Sequence, residues 1–149
     1  MVLLDTNVLV YAHAAESPFH DTARRLRDQA LDGQLDACLS PQILCEFFAT
    51  CTNPRLFHPP LTSKEASREL LAYWSETRLK KILPRESTID RLAALADRHR
   101  LRGQQIFDGL LVATMLDNSV RTIYTLNTKD FEIYTELHVI NPFSTTAKS

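Results

Sequence analysis

Residues 2–11 read VLLDTNVLVY, an apolar run split at position 5 by an aspartate. Val2–Leu4 suits a short buried strand that stops at Asp5. The next residues, 7–14, continue as a helix, with Thr6 placed where a cap is expected. A strand that passes an acid straight into a helix is how a parallel α/β layer begins. In such layers ligands collect beyond the carboxyl ends of the strands.

The rest of the chain continues that pattern. His20–Leu31 reads as a second helix, closed near Gly33. Ala37–Leu39 is a short strand. Ser40 and Pro41 open another helix, whose apolar positions Ile43, Leu44, Phe47, Phe48 and Cys51 recur at helical spacing. Asn53-Pro54 stops it. Thr62 and Glu65 form a capping box for a helix running to about Arg78. Residues 81–83 look like a strand and 87–101 like a helix. Residues 105–118 form a helix that is apolar on most sides apart from its first turn. Residues 122–126 are a β-branched and aromatic strand, and 139–140 a last short one. Short apolar strands joined by helical crossovers predict an α/β sandwich around a mostly parallel sheet. A single domain is expected over residues 1–149, with 143–149 a flexible tail. The segment 53–60, with three prolines, is a loop between helices.

Composition narrows the function classes. With 149 residues the chain buries roughly 70% of the surface its unfolded form exposes, so it needs no staple. Its three glycines make neither a G-x-G-x-x-G nor a G-x-x-x-x-G-K pattern. The three cysteines, Cys38, Cys45 and Cys51, have no zinc spacing and read as buried free thiols. Residues 2–15 are apolar but lack a basic start, and no run reaches the ~18 apolar residues of a membrane span. A cytoplasmic location is expected. The net charge of −1 means that a nucleic-acid partner must be held by a local patch or through metal ions.

Three acids interrupt apolar stretches: Asp5 in VLLDTNVLVY, Glu46 in ILCEFF and Asp108 in IFDGLLVATM. Asp5 ends the first strand, and Glu46 follows the second by a turn or two of helix. Asp108 stands in the first turn of the helix before the 122–126 strand. A lone acid in such a context is commonly a cap or half of an ion pair. Three that converge on one sheet edge call for a cation. Two carboxylates ~4 Å apart repel by about 4 kcal/mol at an effective dielectric of ~20. Three would rival the whole stability of a small domain, about 5–15 kcal/mol. Magnesium or manganese suits such hard oxygen ligands and can activate water against a phosphodiester.

At these residues the sequence resembles the PIN-domain family, in particular the small VapC-type toxins of bacterial toxin–antitoxin pairs. The resemblance rests on LLDTNVLVY, SPQILCEF, QIFDGLLVATM and TLNTKDF, and TNPRLFHPPLTSKEA is similar to a subset of those toxins. It implies a five-stranded parallel sheet between helices. It also implies a magnesium- or manganese-dependent endoribonuclease that cleaves structured RNA such as tRNA or rRNA. Homodimerisation and inhibition by a cognate antitoxin are part of the same expectation. Asp5, Glu46 and Asp108 match the family's three acids, with Asp5 and Asp108 the principal metal ligands. Thr6 and Asn7 match positions that support the site. The family often has a fourth acid where this sequence has Asn127; either Asn127 or Asp130 fills that place.

Arg98, Arg100 and Arg102 form a basic cluster just before the Asp108 helix and are candidate RNA contacts. Two other readings compete. One is a non-catalytic PIN-like module that binds RNA or protein, for which the missing fourth acid is the only support. The other is a carboxylate phosphatase, which would want D-x-D where this chain has Asp5-Thr6-Asn7.

Overall fold

The computed structural model describes residues 1–144. Five strands run in chain order as β1 (Val2–Leu4), β2 (Ala37–Leu39), β3 (Lys80–Lys81), β4 (Thr122–Tyr124) and β5 (His138–Ile140). Six α-helices flank them: α1 (Thr6–Ala12), α2 (His20–Leu31), α3 (Pro41–Cys51), α4 (Ser63–Ser75), α5 (Thr88–His99) and α6 (Gln105–Asp117). A 3₁₀ turn, Thr128–Asp130, follows β4. All neighbouring strands pair in parallel, in the order β3-β2-β1-β4-β5. The expected α/β sandwich with a five-stranded sheet is therefore the observed one, and among the described residues no strand is antiparallel.

The order places the ligand crevice. The chain builds outward from β1 to β3, then returns to lay β4 on the other side of β1. That reversal splays the connections after β1 and β4 apart, which opens a crevice at their carboxyl ends. Asp5 follows β1 and Thr125 follows β4, and the Asp5 amide donates to the Tyr124 carbonyl at 3.0 Å.

The core explains the apolar runs. β1 and β2 are buried along their whole length. In α6 every residue from Leu111 to Leu116 is buried, which leaves its two ends to carry polar chemistry. Gly109, directly after Asp108, is where α5 presses against α6. A Cβ there would stand 2.8 Å from Leu101 Cδ1 and 3.1 Å from Leu92 Cδ1. The chain reversal before α6 uses Arg100 in the left-handed region at φ 52° and Gly103 at φ 54°.

Some boundaries differ from the sequence expectation. α1 ends at Ala12, and α4 ends at Ser75 because Glu76 is extended. β3 is Lys80–Lys81, a two-residue edge strand fixed by pairing with Cys38 and Leu39. β4 ends at Tyr124, so Thr125 and Leu126 belong to the loop over the crevice. Phe143, the first residue of the expected tail, packs with its ring centroid 5.1 Å from that of Phe19 and 6.0 Å from that of Tyr11. The remainder of the expected tail, 145–149, lies outside the described residues. Cys38 and Cys51 are buried free thiols as expected, whereas Cys45 is exposed on α3. Among the described residues no helix is long and apolar enough to cross a membrane.

Candidate active site

Asp5 does two jobs at the β1–α1 junction. It is the cap of α1, where Thr6 was expected: its Oδ1 accepts the Thr6 amide at 2.8 Å. Its Oδ2 accepts the Thr125 hydroxyl at 2.7 Å and the Asn7 amide Nδ2 at 3.4 Å. The side chain is only 6% exposed. Burial raises the Asp5 pKa most; hydrogen bonds from Thr125 and Thr6 pull it down, and Glu46 and Asp130 push it up again. The net shift is upward.

Because Asp5 caps the helix, Thr6 is released for another task. Its hydroxyl donates to Glu46 Oε2 at 2.9 Å, bridging α1 and α3. The other oxygen, Oε1, accepts from Gln42 Nε2 at 2.9 Å, one turn back on α3. The same Gln42 nitrogen donates to the Phe107 carbonyl at 2.8 Å. Asn7 ties the opposite wall. Its Oδ1 accepts the Leu126 amide at 3.1 Å, and its Nδ2 also reaches Thr125 Oγ1 at 3.3 Å.

Asp5, Glu46, Asp108, Asn127 and Asp130 all line one open cleft of about 440 Å³. Val10, Tyr11, Leu56 and Phe131 supply its apolar surface, and among the described residues no Lys, Arg or His lines it. The Asp108 pKa is raised to about 6, by burial first and then by Asp130, Asp5 and Glu46. Among the described residues none of the four acids has a salt-bridge partner. Nor are three His, Cys, Asp or Glu side chains gathered tightly enough to form a finished ligand cage.

Asp130 sits in the 3₁₀ turn after β4, which brings its charge back over Asp5 and Asp108. Asn127 precedes that turn without capping it through its side chain, although its amide donates to Thr125 Oγ1 at 3.0 Å. The three arginines do not enter the cleft. Arg98 is engaged with Glu136 at 3.1 Å, while Arg100 and Arg102 are exposed.

Two residues here escaped the sequence reading. Thr125 is fully buried, donating to Asp5 and accepting from Asn7 and Asn127. Its only sequence signal is a hydroxyl at the end of an apolar strand. Gln42 stands four residues before Glu46, a helical spacing at which a Gln–acid hydrogen bond was legible.

The profile of the PIN domain matches residues 2–137. The chain belongs to the PIN-domain family. This PIN domain is 27% identical over 140 residues to ribonuclease VapC48 of Mycobacterium tuberculosis, an alignment covering 94% of this chain and 96% of the relative. It is 26% identical to ribonuclease VapC24 of the same species, over 97% of this chain and 98% of the other. Among solved structures, M. tuberculosis VapC20, described as a sarcin-ricin loop cleaving toxin, superposes with a TM-score of 0.66 at 18% identity. That match covers 90% of this PIN domain and 95% of VapC20. VapBC-1 of nontypeable Haemophilus influenzae gives a TM-score of 0.65 at 18% identity, over 97% and 100% of the two chains. At such identities the superpositions speak for the fold alone.

Proposed function

We propose that this PIN domain is a divalent-metal-dependent endoribonuclease, the toxin half of a type II toxin–antitoxin pair, acting in the cytoplasm on structured RNA such as tRNA or rRNA. One observation carries the reading: four carboxylates face a single cleft at the sheet's switch point, and among the described residues no basic side chain lines it. The ribonuclease names of VapC48 and VapC24, which align over nearly the whole chain, support the substrate class.

The residues fit a magnesium or manganese ion. All the charged donors are hard oxygens, and among the described residues their hydrogen-bond partners are neutral hydroxyl and amide groups. Asp5 and Asp108 would hold the ion, with Glu46 and Asp130 reaching it directly or through retained water. When bound, such an ion supplies Lewis acidity, which makes water more acidic and offsets charge on a phosphodiester. The chain's own residues do the rest. Thr125 and the Thr6 amide fix the Asp5 carboxylate, so no reorganisation is needed when substrate arrives. Thr6 holds Glu46 facing the cleft. Without a cation, Asp108 keeps a proton up to about pH 6, which relieves crowding among the acids. Tyr11 and Leu56 extend the cleft with apolar surface against which a nucleoside can lie.

An antitoxin satisfies the same charge deficit by placing an Arg or Lys among the acids, with the planar Arg fork preferred. A homodimer is part of the proposal. The test is induced expression in a bacterial host followed by mapping of new RNA 5′ ends. Wild type should generate discrete new ends and Asp108→Asn none; identical maps from the two would refute the reading.

A further inference from the structure

Gln42 spans two elements that each carry an acid. One amide nitrogen donates both of its hydrogens, to Glu46 Oε1 at 2.9 Å and to the Phe107 carbonyl at 2.8 Å. Both partners only accept, so it is the amide NH₂ and not the amide oxygen that faces them. Phe107 immediately precedes Asp108 in the first turn of α6. Gln42 does not line the cleft itself. We infer that Gln42 is a positioning residue that sets the placement of Glu46 relative to Asp108, and that it must do so with a neutral donor. The inference rests on the metal-dependent reading above.

The chemistry of the pair gives the reason. Glu46 is held on both oxygens, by Thr6 on one side and Gln42 on the other. Neither donor carries charge, so the carboxylate is oriented without a cationic partner competing with a metal ion. An arginine or lysine in place of Gln42 would orient it equally well and neutralise it. The second bond, to Phe107, reaches 65 residues along the chain and ties α3 to the start of α6. A change in Glu46 orientation and a change in the α3–α6 distance are therefore resisted by the same amide group.

Three proteins test this by calorimetric titration of manganese into metal-free samples: wild type, Gln42→Leu and Gln42→Lys. Gln42→Leu keeps the approximate shape and removes both donors. It should melt only a few degrees below wild type yet bind manganese about tenfold more weakly, the scale of loss when supports behind metal ligands are removed. In RNA cleavage its kcat should fall with KM little changed, because Gln42 lies outside the cleft. Gln42→Lys restores donors to Glu46 and Phe107, so its metal-free melting temperature should return to wild type or above. Its manganese affinity should nonetheless stay at least tenfold weaker, because the ammonium opposes the cation. Should Gln42→Leu fail to fold, Gln42→Lys alone decides. Wild-type manganese affinity in folded Gln42→Leu, or its return in Gln42→Lys, overturns the role of Gln42 while leaving the metal reading intact. A wild-type protein that binds no manganese overturns both.

Discussion

The Thr125 hydroxyl donates to Asp5 Oδ2 at 2.7 Å, joining the residues that follow β4 and β1, 120 positions apart in sequence. Around this bond the cleft floor is assembled. Asn7 and the Asn127 amide both donate to Thr125 Oγ1, so one buried hydroxyl serves three partners. Thr125→Val keeps the shape and removes the hydroxyl. It leaves a buried carboxylate short of one donor and two donors short of an acceptor. A loss of about 2 kcal/mol is expected, the scale for a hydrogen bond to a charged group. Thr125→Ser retains the hydroxyl and should lose only about 1 kcal/mol for the missing methyl. Urea denaturation of the metal-free proteins measures both; a Thr125→Val midpoint equal to wild type would remove Thr125 from the site.

The raised pKa of Asp108 makes stability depend on pH in a specific direction. A carboxyl whose folded pKa, about 6, exceeds its unfolded value of 3.8 binds more protons folded than unfolded between those limits. Stability from this group is full below the unfolded value and is lost as pH rises through about 6. Asp5 is shifted in the same direction. Asp36, Glu65, Glu76 and Asp117 are shifted down, so what they contribute is lost in acid. His13, whose pKa burial lowers, opposes this trend, so the Asp108 contribution should appear as a larger metal-free melting gain from pH 7 to pH 5 in wild type than in Asp108→Asn, with melting lower again below about pH 4. With millimolar manganese the trend between pH 5 and 7 should reverse, because the ion needs Asp108 unprotonated. Melting scans across that range with EDTA and with manganese check it. A metal-free pH dependence left unchanged by Asp108→Asn would contradict the carboxylate crowding.

Asn127, before the 3₁₀ turn, and Asp130, within it, both line the cleft. Only Asp130 carries charge, and its field reaches both Asp5 and Asp108. Asp130→Asn should weaken manganese binding more than Asn127→Ala, for which a loss on the order of tenfold is expected. Asn127→Asp adds a charge to the cleft and should tighten binding. Isothermal titration separates them: equal isotherms for Asp130→Asn and wild type would place Asp130 outside the metal site.

What the sequence could reveal followed its local physics. VLLDTNVLVY marks both the first strand and its acid, because an aspartate inside an apolar run commonly stands at an element's end, where it can cap. The Ser40 cap and the Thr62–Glu65 capping box were legible because capping chemistry is local, and both are observed. Thr6 was misread as a cap for a local reason too: Asp5, one position earlier, takes the amide and frees the threonine for Glu46. Thr125 was hidden because its partners lie 120 and 118 residues away, where no periodicity reaches. β3 was placed a residue late because an edge strand takes its register from its neighbour, here Cys38 and Leu39, and not from its own hydropathy. The bend that returns Asp130 to the cleft belongs to the 3₁₀ turn, which TLNTKDF does not announce.

The central claim is that the carboxylate cleft cuts RNA only with a divalent ion in place. The most direct measurement incubates purified protein with total bacterial RNA and maps 5′ ends, with manganese, with EDTA, and with Asp5→Asn in manganese. Asp5→Asn removes one ligand charge while its amide can still accept from the Thr6 amide, so the fold should persist. Discrete new ends should form with wild type and manganese and be absent from the other two reactions. Ends that persist in EDTA, or that Asp5→Asn produces as fast as wild type, would contradict the account.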